Sequence, residues 1–214
     1  MECLICKSAT TIRYDEAYKL NYYSCDQCGF IAQDRESIAS FEQERKEYDH
    51  HENSIDNEGY VAYFKRFIDK ALIPYAALGQ GLDFGSGPEP VFSQIMKRDY
   101  HASMDIYDLH YQPETIYEGK SYDYIVSTEV IEHVKEPLEF LRLLKNHLKP
   151  GGVIALMTLF HDGHEAAFLK WWYRRDITHI SFFTPTTFRY IAEILGLEIV
   201  YCDDLRYITL KKAL

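Results

Sequence analysis

No stretch of the 214-residue chain reaches the ~18 uncharged apolar positions that a membrane-crossing helix needs. The opening residues, MECLICKSAT, lack the basic head and apolar run of a secretory leader, so a cytoplasmic location is expected. Basic charge is scarce as well. Lysine and arginine number 23 against 33 aspartates and glutamates, a formal net charge of −10. Phosphate polymers and anionic membranes bind basic faces, so this balance argues against nucleic acid or a membrane surface as the main partner. Neither internal repeats nor low-complexity tracts occur. What is present is ordinary for a globular protein: 47% apolar and 26% charged residues, long enough for one sizeable core and a small appendage.

Five cysteines are unevenly placed. Cys3, Cys6, Cys25 and Cys28 form two C-x2-C pairs around an 18-residue spacer, the spacing of a zinc ribbon. Two such knuckles can each present two thiolates to one tetrahedral zinc ion. Two disulfides are the alternative, which a reducing compartment disfavours. Cys202 lies in the apolar run LEIVYC and reads as a strand residue rather than a reactive thiol.

Three segments follow from the pattern. Residues 1–35 hold the cysteine pairs and β-prone stretches, and form a zinc ribbon too small to fold without its metal. Residues 36–78 read as a helical linker or lid. Val61, Phe64, Ile68, Ala71 and Leu72 share a helical face there, and Pro74 ends the helix. Residues 79–214 alternate strand and helix. GLDFG, HASMDIY, SYDYIVST and GGVIALMTL are strands, and KEPLEFLRLLKNHL is a helix stopped by Pro150-Gly151-Gly152. Thr184, Pro185 and Gly196 read as N-cap, first-turn proline and C-cap of another helix. LEIVYC and YITLKK form a terminal hairpin. Such alternation predicts an α/β fold, a doubly wound and mostly parallel sheet.

A third glycine is also missing. LDFGSGPEP turns on Gly85 and Gly87, but Glu89-Pro90 stands where a dinucleotide fingerprint has its last glycine. A carboxylate there repels pyrophosphate, while a zwitterionic amino-acid tail meets no such objection. Asp105, 18 residues after Gly87, is placed to hold both ribose hydroxyls. Together these features favour S-adenosylmethionine over a nicotinamide dinucleotide.

The stretches LDFGSGP, SYDYIVSTEVIEHVKEP and LKPGGVIALMT resemble successive motifs of class I S-adenosylmethionine-dependent methyltransferases, nearest the ubiquinone-biosynthesis O-methyltransferase branch. WWYRRDITHISFFTPTTF and YDHHENSIDNEGY resemble a bacterial subgroup with an N-terminal zinc ribbon. The resemblance implies a Rossmann-like seven-stranded sheet with an antiparallel last strand. It also implies that Asp83, Gly85, Ser86 and Gly87 hold the methionine end of the cofactor. Asp105 would take the ribose, and Ser127, Thr128 and Glu129 would flank the sulfonium. One departure stands out. Only 17 residues separate Asp105 from Asp123, too few for the usual helix, strand and adenine-binding acid. A vestigial third strand at ETIY is expected, with Ile106 and Tyr107 beside the adenine.

Methyl transfer from a sulfonium is a direct displacement, so alignment and exclusion of water carry most of the catalysis. A hydroxyl acceptor gains from a base that titrates near neutrality. His133, His179 and His51 are the candidates, against a structural or capping role for each. Trp171, Trp172 and Tyr173 read as a roof over the substrate or as ordinary core, and Arg174 and Arg175 as an anion site or a solvated face. Two functions remain open: O- or C-methylation of a small molecule, or modification of RNA or protein with the ribbon as recognition module. The ribbon carries five acids and four bases. Zn(Cys)4 adds two negative charges, whereas an RNA-reading ribbon is positive. The acceptor's identity and the oligomeric state are not encoded in any of these motifs.

Overall fold

The computed structural model describes residues 1–49 and 54–214, except the side chain of Glu165. His51 lies outside the described residues.

Three short strands open the chain: β1 (Thr11–Asp15), β2 (Leu20–Ser24) and β3 (Ile31–Gln33). Helix α1 (Phe41–Tyr48) starts at a capping box in which Ser40 and Gln43 satisfy each other's backbone amides. Helix α2 (Glu58–Phe67) is capped by Asn57 and runs into a π turn over Ile68–Leu72 that finishes before Pro74. Phe64, Ile68, Ala71 and Leu72 are buried along it, as their spacing requires, with Val61 at the margin.

The larger sheet has six strands: β4 (Gly81–Phe84), β5 (Met104–Tyr107), β6 (Tyr122–Thr128), β7 (Leu148–Met157), β9 (Leu197–Cys202) and β10 (Tyr207–Lys212), with β8 (Ser181–Phe182) placed elsewhere. Their order is β5-β4-β6-β7-β10-β9. Strands β4 to β7 pair in parallel, and β10 lies antiparallel between β7 and β9. Helices α3 (Val91–Asp99), α4 (Pro137–Asn146), α5 (Glu165–Phe168) and α6 (Pro185–Leu195) connect them. Alternation along the strands divides the core. Tyr124, Val126, Val153 and Ala155 face α2 and α3, whereas Ile125, Ile154 and Leu156 face α4 and α6.

Two expectations are corrected. Among the described residues the sheet has six strands rather than seven, because residues 114–117 (ETIY) form no strand and β5 is left as the edge. Tyr117 instead packs its ring on Phe84 and Tyr107 at 5.3 and 5.0 Å. Helix α4 ends at Asn146, ahead of Pro150-Gly151-Gly152, since Leu148 already pairs with Tyr122 in the parallel ladder. The caps of α6 at Thr184 and Gly196 form as read, Gly196 in the left-handed conformation.

Strand β8 joins the ribbon. The small sheet runs β1-β2-β3-β8, so two residues from the C-terminal half of the chain complete it. Cys3, Cys25 and Cys28 share one apolar core with Leu82, Ile154, Phe183 and Phe188. Arg174 is buried rather than solvated or anion-binding. Its guanidinium pairs with Asp15 of β1, donates to the carbonyls of Phe168 and Leu169, and lies over the ring of Tyr18. Among the described residues, no helix is long and apolar enough to cross a membrane.

Candidate active site

The carboxyl ends of β4, β5 and β6 open on a cavity of about 1010 Å³, where the strand order reverses. Its two ends are built differently.

At one end, β4 and the turn after it bring Asp83, Gly85, Ser86 and Gly87 to the wall. Gly85 has φ +92°, and a Cβ there would lie 2.3 Å from Cγ2 of Val130. The position therefore needs glycine both for conformation and for space. The amides of Gly85 and Ser86 donate to the Tyr107 carbonyl at 2.7 and 3.1 Å. Asp83 is 1% exposed, and neither carboxylate oxygen has a hydrogen-bond partner. Burial, then the nearby Asp108, pushes its pKa up to about 7. A buried, unpartnered carboxyl group facing a cavity is suited to a cationic ligand group.

Asp105 is not at this wall. It sits within β5 and accepts from Lys120 Nζ and Tyr122 Oη, both at 2.8 Å. The acid at the strand end is Asp108, which lines the cavity. Asp108 accepts from the amides of Gly87 (2.8 Å), His110 (2.9 Å) and Tyr111 (3.0 Å), which locks the glycine turn to the loop after β5. The sequence pointed to the first acid of HASMDIY for the ribose; β5 runs through Tyr107, so that acid lies inside the strand. Tyr107 lines the cavity and Ile106 does not. Ser127 is also absent from the wall. It is buried, with its hydroxyl donating to the Phe84 carbonyl at 2.8 Å, so it braces β4 against β6. Thr128 and Glu129 do line the cavity. Glu129, at φ +53°, accepts from Tyr63 Oη at 2.7 Å and lies 2.9 Å from Tyr173 Oη. Tyr60, Tyr63 and Phe64 of α2 cover this end, a contribution that the helical spacing did not reveal.

At the other end stand His133 and His179, their ring centroids 4.7 Å apart, with Tyr48 5.3 Å from His133 and Trp172 also at the wall. These two histidines thus converge. His133 Nδ1 is 3.0 Å from the Thr178 carbonyl, and His179 Nδ1 is 2.7 Å from the Tyr173 carbonyl. Each ring is therefore oriented through Nδ1, as a histidine used at Nε2 needs to be. Behind them Glu132 is fully buried. One oxygen accepts from Tyr173 Oη at 2.5 Å and the other, Oε2, has no partner. Burial, then Glu129, pushes the Glu132 carboxyl well above its ordinary pKa. Ligand atoms of Glu132, His133 and His179 lie within 4.8 Å of one another. His110, unmarked by any sequence motif, stacks on Phe41 at 4.4 Å at the cavity wall, its ring nitrogens without a hydrogen bond and Nε2 3.9 Å from Glu44 Oε2.

The four ribbon cysteines are unbonded, and their sulfurs lie within 4.8 Å of one another. Paired distances of 3.5 Å (Cys3–Cys28) and 3.4 Å (Cys6–Cys25) bring all four to one point, consistent with a zinc ribbon. The Cys3 thiol is drawn down to about 5, chiefly by the hydrogen bond from Cys28, which favours a thiolate.

Comparison with known proteins agrees with this architecture. A family model described as a methyltransferase domain matches residues 50–201, and the chain belongs to that family. The ubiquinone biosynthesis O-methyltransferase of Dinoroseobacter shibae is 30% identical over 140 residues, covering 58% of this chain and 54% of that protein. A tRNA U34 carboxymethyltransferase of Pseudoalteromonas atlantica is 33% identical over 105 residues, covering 48% and 32%. The chain therefore spans about half the length of one relative and a third of the other. Among solved structures, an O-methyltransferase family protein from Burkholderia thailandensis superposes with a TM-score of 0.56 at 13% identity, over 79% of this chain and 63% of that one. Mitomycin 7-O-methyltransferase gives 0.55 at 12%, over 72% and 54%. These likenesses concern the fold.

Proposed function

We propose that the chain transfers a methyl group from S-adenosylmethionine to the oxygen or carbon of a small molecule. The observation that carries this reading is Asp83: a buried, unpartnered carboxyl group beside a glycine turn, at one end of a cavity whose other end holds two oriented histidines. The cofactor's ammonium would meet Asp83, its ribose Asp108, and its adenine the side of Tyr107 and Leu109. The sulfonium would stand beside Thr128 and Glu129. Bound there, the cofactor supplies an electrophilic methyl group. Tyr48 and Trp172 would hold the acceptor, and His179, backed by His133, would take its proton through Nε2. The ribbon cysteines would hold one structural zinc. The functional division is 1–35, 36–78 and 79–214, with β8 bridging the first and last.

Lining charge favours methyl over carboxymethyl transfer. Among the described residues the wall carries seven carboxylate side chains and a single cation, Lys135, so an added carboxylate finds little counter-charge. The chain's net charge and the acidic ribbon disfavour RNA as the acceptor. A second reading of the acceptor end rests on the unpartnered Oε2 of Glu132. A divalent cation held by Glu132, His133 and His179 would lower the pKa of an acceptor hydroxyl in place of the imidazole base.

The test is incubation with cofactor carrying a labelled methyl group and an extract separated into small molecules, RNA and protein. Label in the small-molecule fraction is expected, and label confined to RNA or protein rejects the acceptor assignment. With an acceptor in hand, His179→Gln should lower turnover about 10²-fold or more with cofactor affinity unchanged, and flatten the rise in rate with pH. Turnover that depends on added magnesium or manganese selects the cation reading.

A further inference from the structure

The ribbon is built into the acceptor end of the site. Strand β8 has only two residues, too few to hold a place unaided. It is fixed from both sides. Towards the ribbon, Ile31 and Ala32 pair with Phe182 and Ser181, and the Gln33 amide donates to the Ile180 carbonyl at 2.8 Å. Towards the cavity, the Ile180 amide donates to the Glu132 carbonyl and Ser181 Oγ to the Val134 carbonyl, both at 2.8 Å. His179 stands two residues before this plank, and the turn it braces carries His133.

The cysteine knuckle is clamped to the same region. The carbonyl of Cys28 accepts from Thr187 Oγ1 at 2.9 Å, and that of Gly29 faces His161 Nε2 at 2.8 Å. Gly29, at φ +74°, lies so close to Thr184 that a Cβ would be 2.6 Å from its hydroxyl. The knuckle thus abuts the N-cap of α6, two residues beyond β8. By contrast, the glycine turn bonds to Tyr107 and Asp108, and Phe84 to Ser127, all within the large sheet.

We propose that zinc in the ribbon sets the positions of His133 and His179 through β8, so that acceptor-side geometry depends on the metal while cofactor binding does not. A ribbon of this size loses its fold with its metal. Strand β8 then keeps support on one edge only, and the two histidines lose their fixed separation. The inference rests on the zinc and acceptor-end readings above, but its test needs no acceptor.

Zinc content, amide exchange and S-adenosylhomocysteine affinity are measured on the full chain before and after zinc is withdrawn by a thiol-directed reagent, and on Cys25→Ser. Exchange at 179–183 should rise at least about tenfold and the ring resonances of both histidines should move, with exchange at 81–87 and cofactor affinity holding within about twofold. Unchanged exchange at 179–183 overturns the proposal. So does parallel loss of cofactor affinity, which would make zinc a support of the whole fold, and so does a reduced, purified chain that contains no zinc. Ser181→Ala, which keeps the cysteines, gives an independent arm. It should loosen 179–183 and shift the His133 resonance at full zinc content; no shift overturns the coupling. A catalytic role for His179 can fail without altering these readouts, so the two claims are separable.

Discussion

The two ends of the cavity differ in how the chain makes them. The floor of the end assigned to the cofactor comes from successive strand ends of one sheet, β4 into its glycine turn, β5 into Asp108 and β6 into Thr128 and Glu129, with α2 laid over it. The acceptor end is assembled from distant pieces: Tyr48 of α1, the 131–133 turn, the 172–175 turn, and a two-residue strand shared with the ribbon. A site made of local turns can bind its ligand while the rest of the fold varies. One made of long-range contacts depends on every piece that holds it.

The strongest way to break the comparison is to cut the ribbon's buried tie. Arg174→Met leaves Asp15 buried without its cation, and both side chains are about 5% exposed or less. The loss should be about 3–5 kcal/mol in denaturant unfolding, felt at the acceptor end first, with cofactor affinity retained where the chain is folded. Equal loss at both ends would erase the distinction. A smaller effect is expected from Asp108→Asn, which disturbs the link between the glycine turn and the loop after β5. Cofactor affinity should fall by about 1.5–3 kcal/mol, roughly 10- to 150-fold. Asp105→Asn should be the mildest. It removes a partly exposed pair with Lys120, so stability should drop by under about 1 kcal/mol and cofactor affinity should not change. Reversal of the last two would return the ribose to Asp105.

This contrast also explains what the sequence made legible. Gly85 and Gly87, the strands around them, the cysteine spacing and the caps of α6 are local patterns, and all form as read. Asp105 was preferred to Asp108 because only the pairing with β4, Leu82 with Asp105 and Phe84 with Tyr107, shows which acid stands beyond the ladder. Arg174 looked solvated because its partner, Asp15, belongs to a strand at the other end of the chain. Ser127 fell on the wrong side of the wall because alternation at the end of β6 turns it inward towards Phe84. The place where loops leave a parallel sheet pointed to His51 and His179 as the converging pair; His51 lies outside the described residues. The meeting of His179 with His133 was not legible because the strand that fixes it is too short to show a period.

Asp83 gives the most direct test of the cofactor assignment. Its raised pKa means that the free chain holds a proton there below about pH 7; by itself this favours the folded state at acid pH, an advantage lost as pH rises through about 7. The cofactor's ammonium favours the opposite, charged form. Calorimetric titration of S-adenosylmethionine at pH 6 and pH 8, on the wild-type chain and Asp83→Asn, therefore carries a definite sign. The wild-type chain should bind one equivalent, more tightly at pH 8 and with proton release near pH 6, and Asp83→Asn should bind more weakly with little dependence on pH. Absence of binding by the wild-type chain, or equal affinity for both proteins at both pH values, would contradict the account.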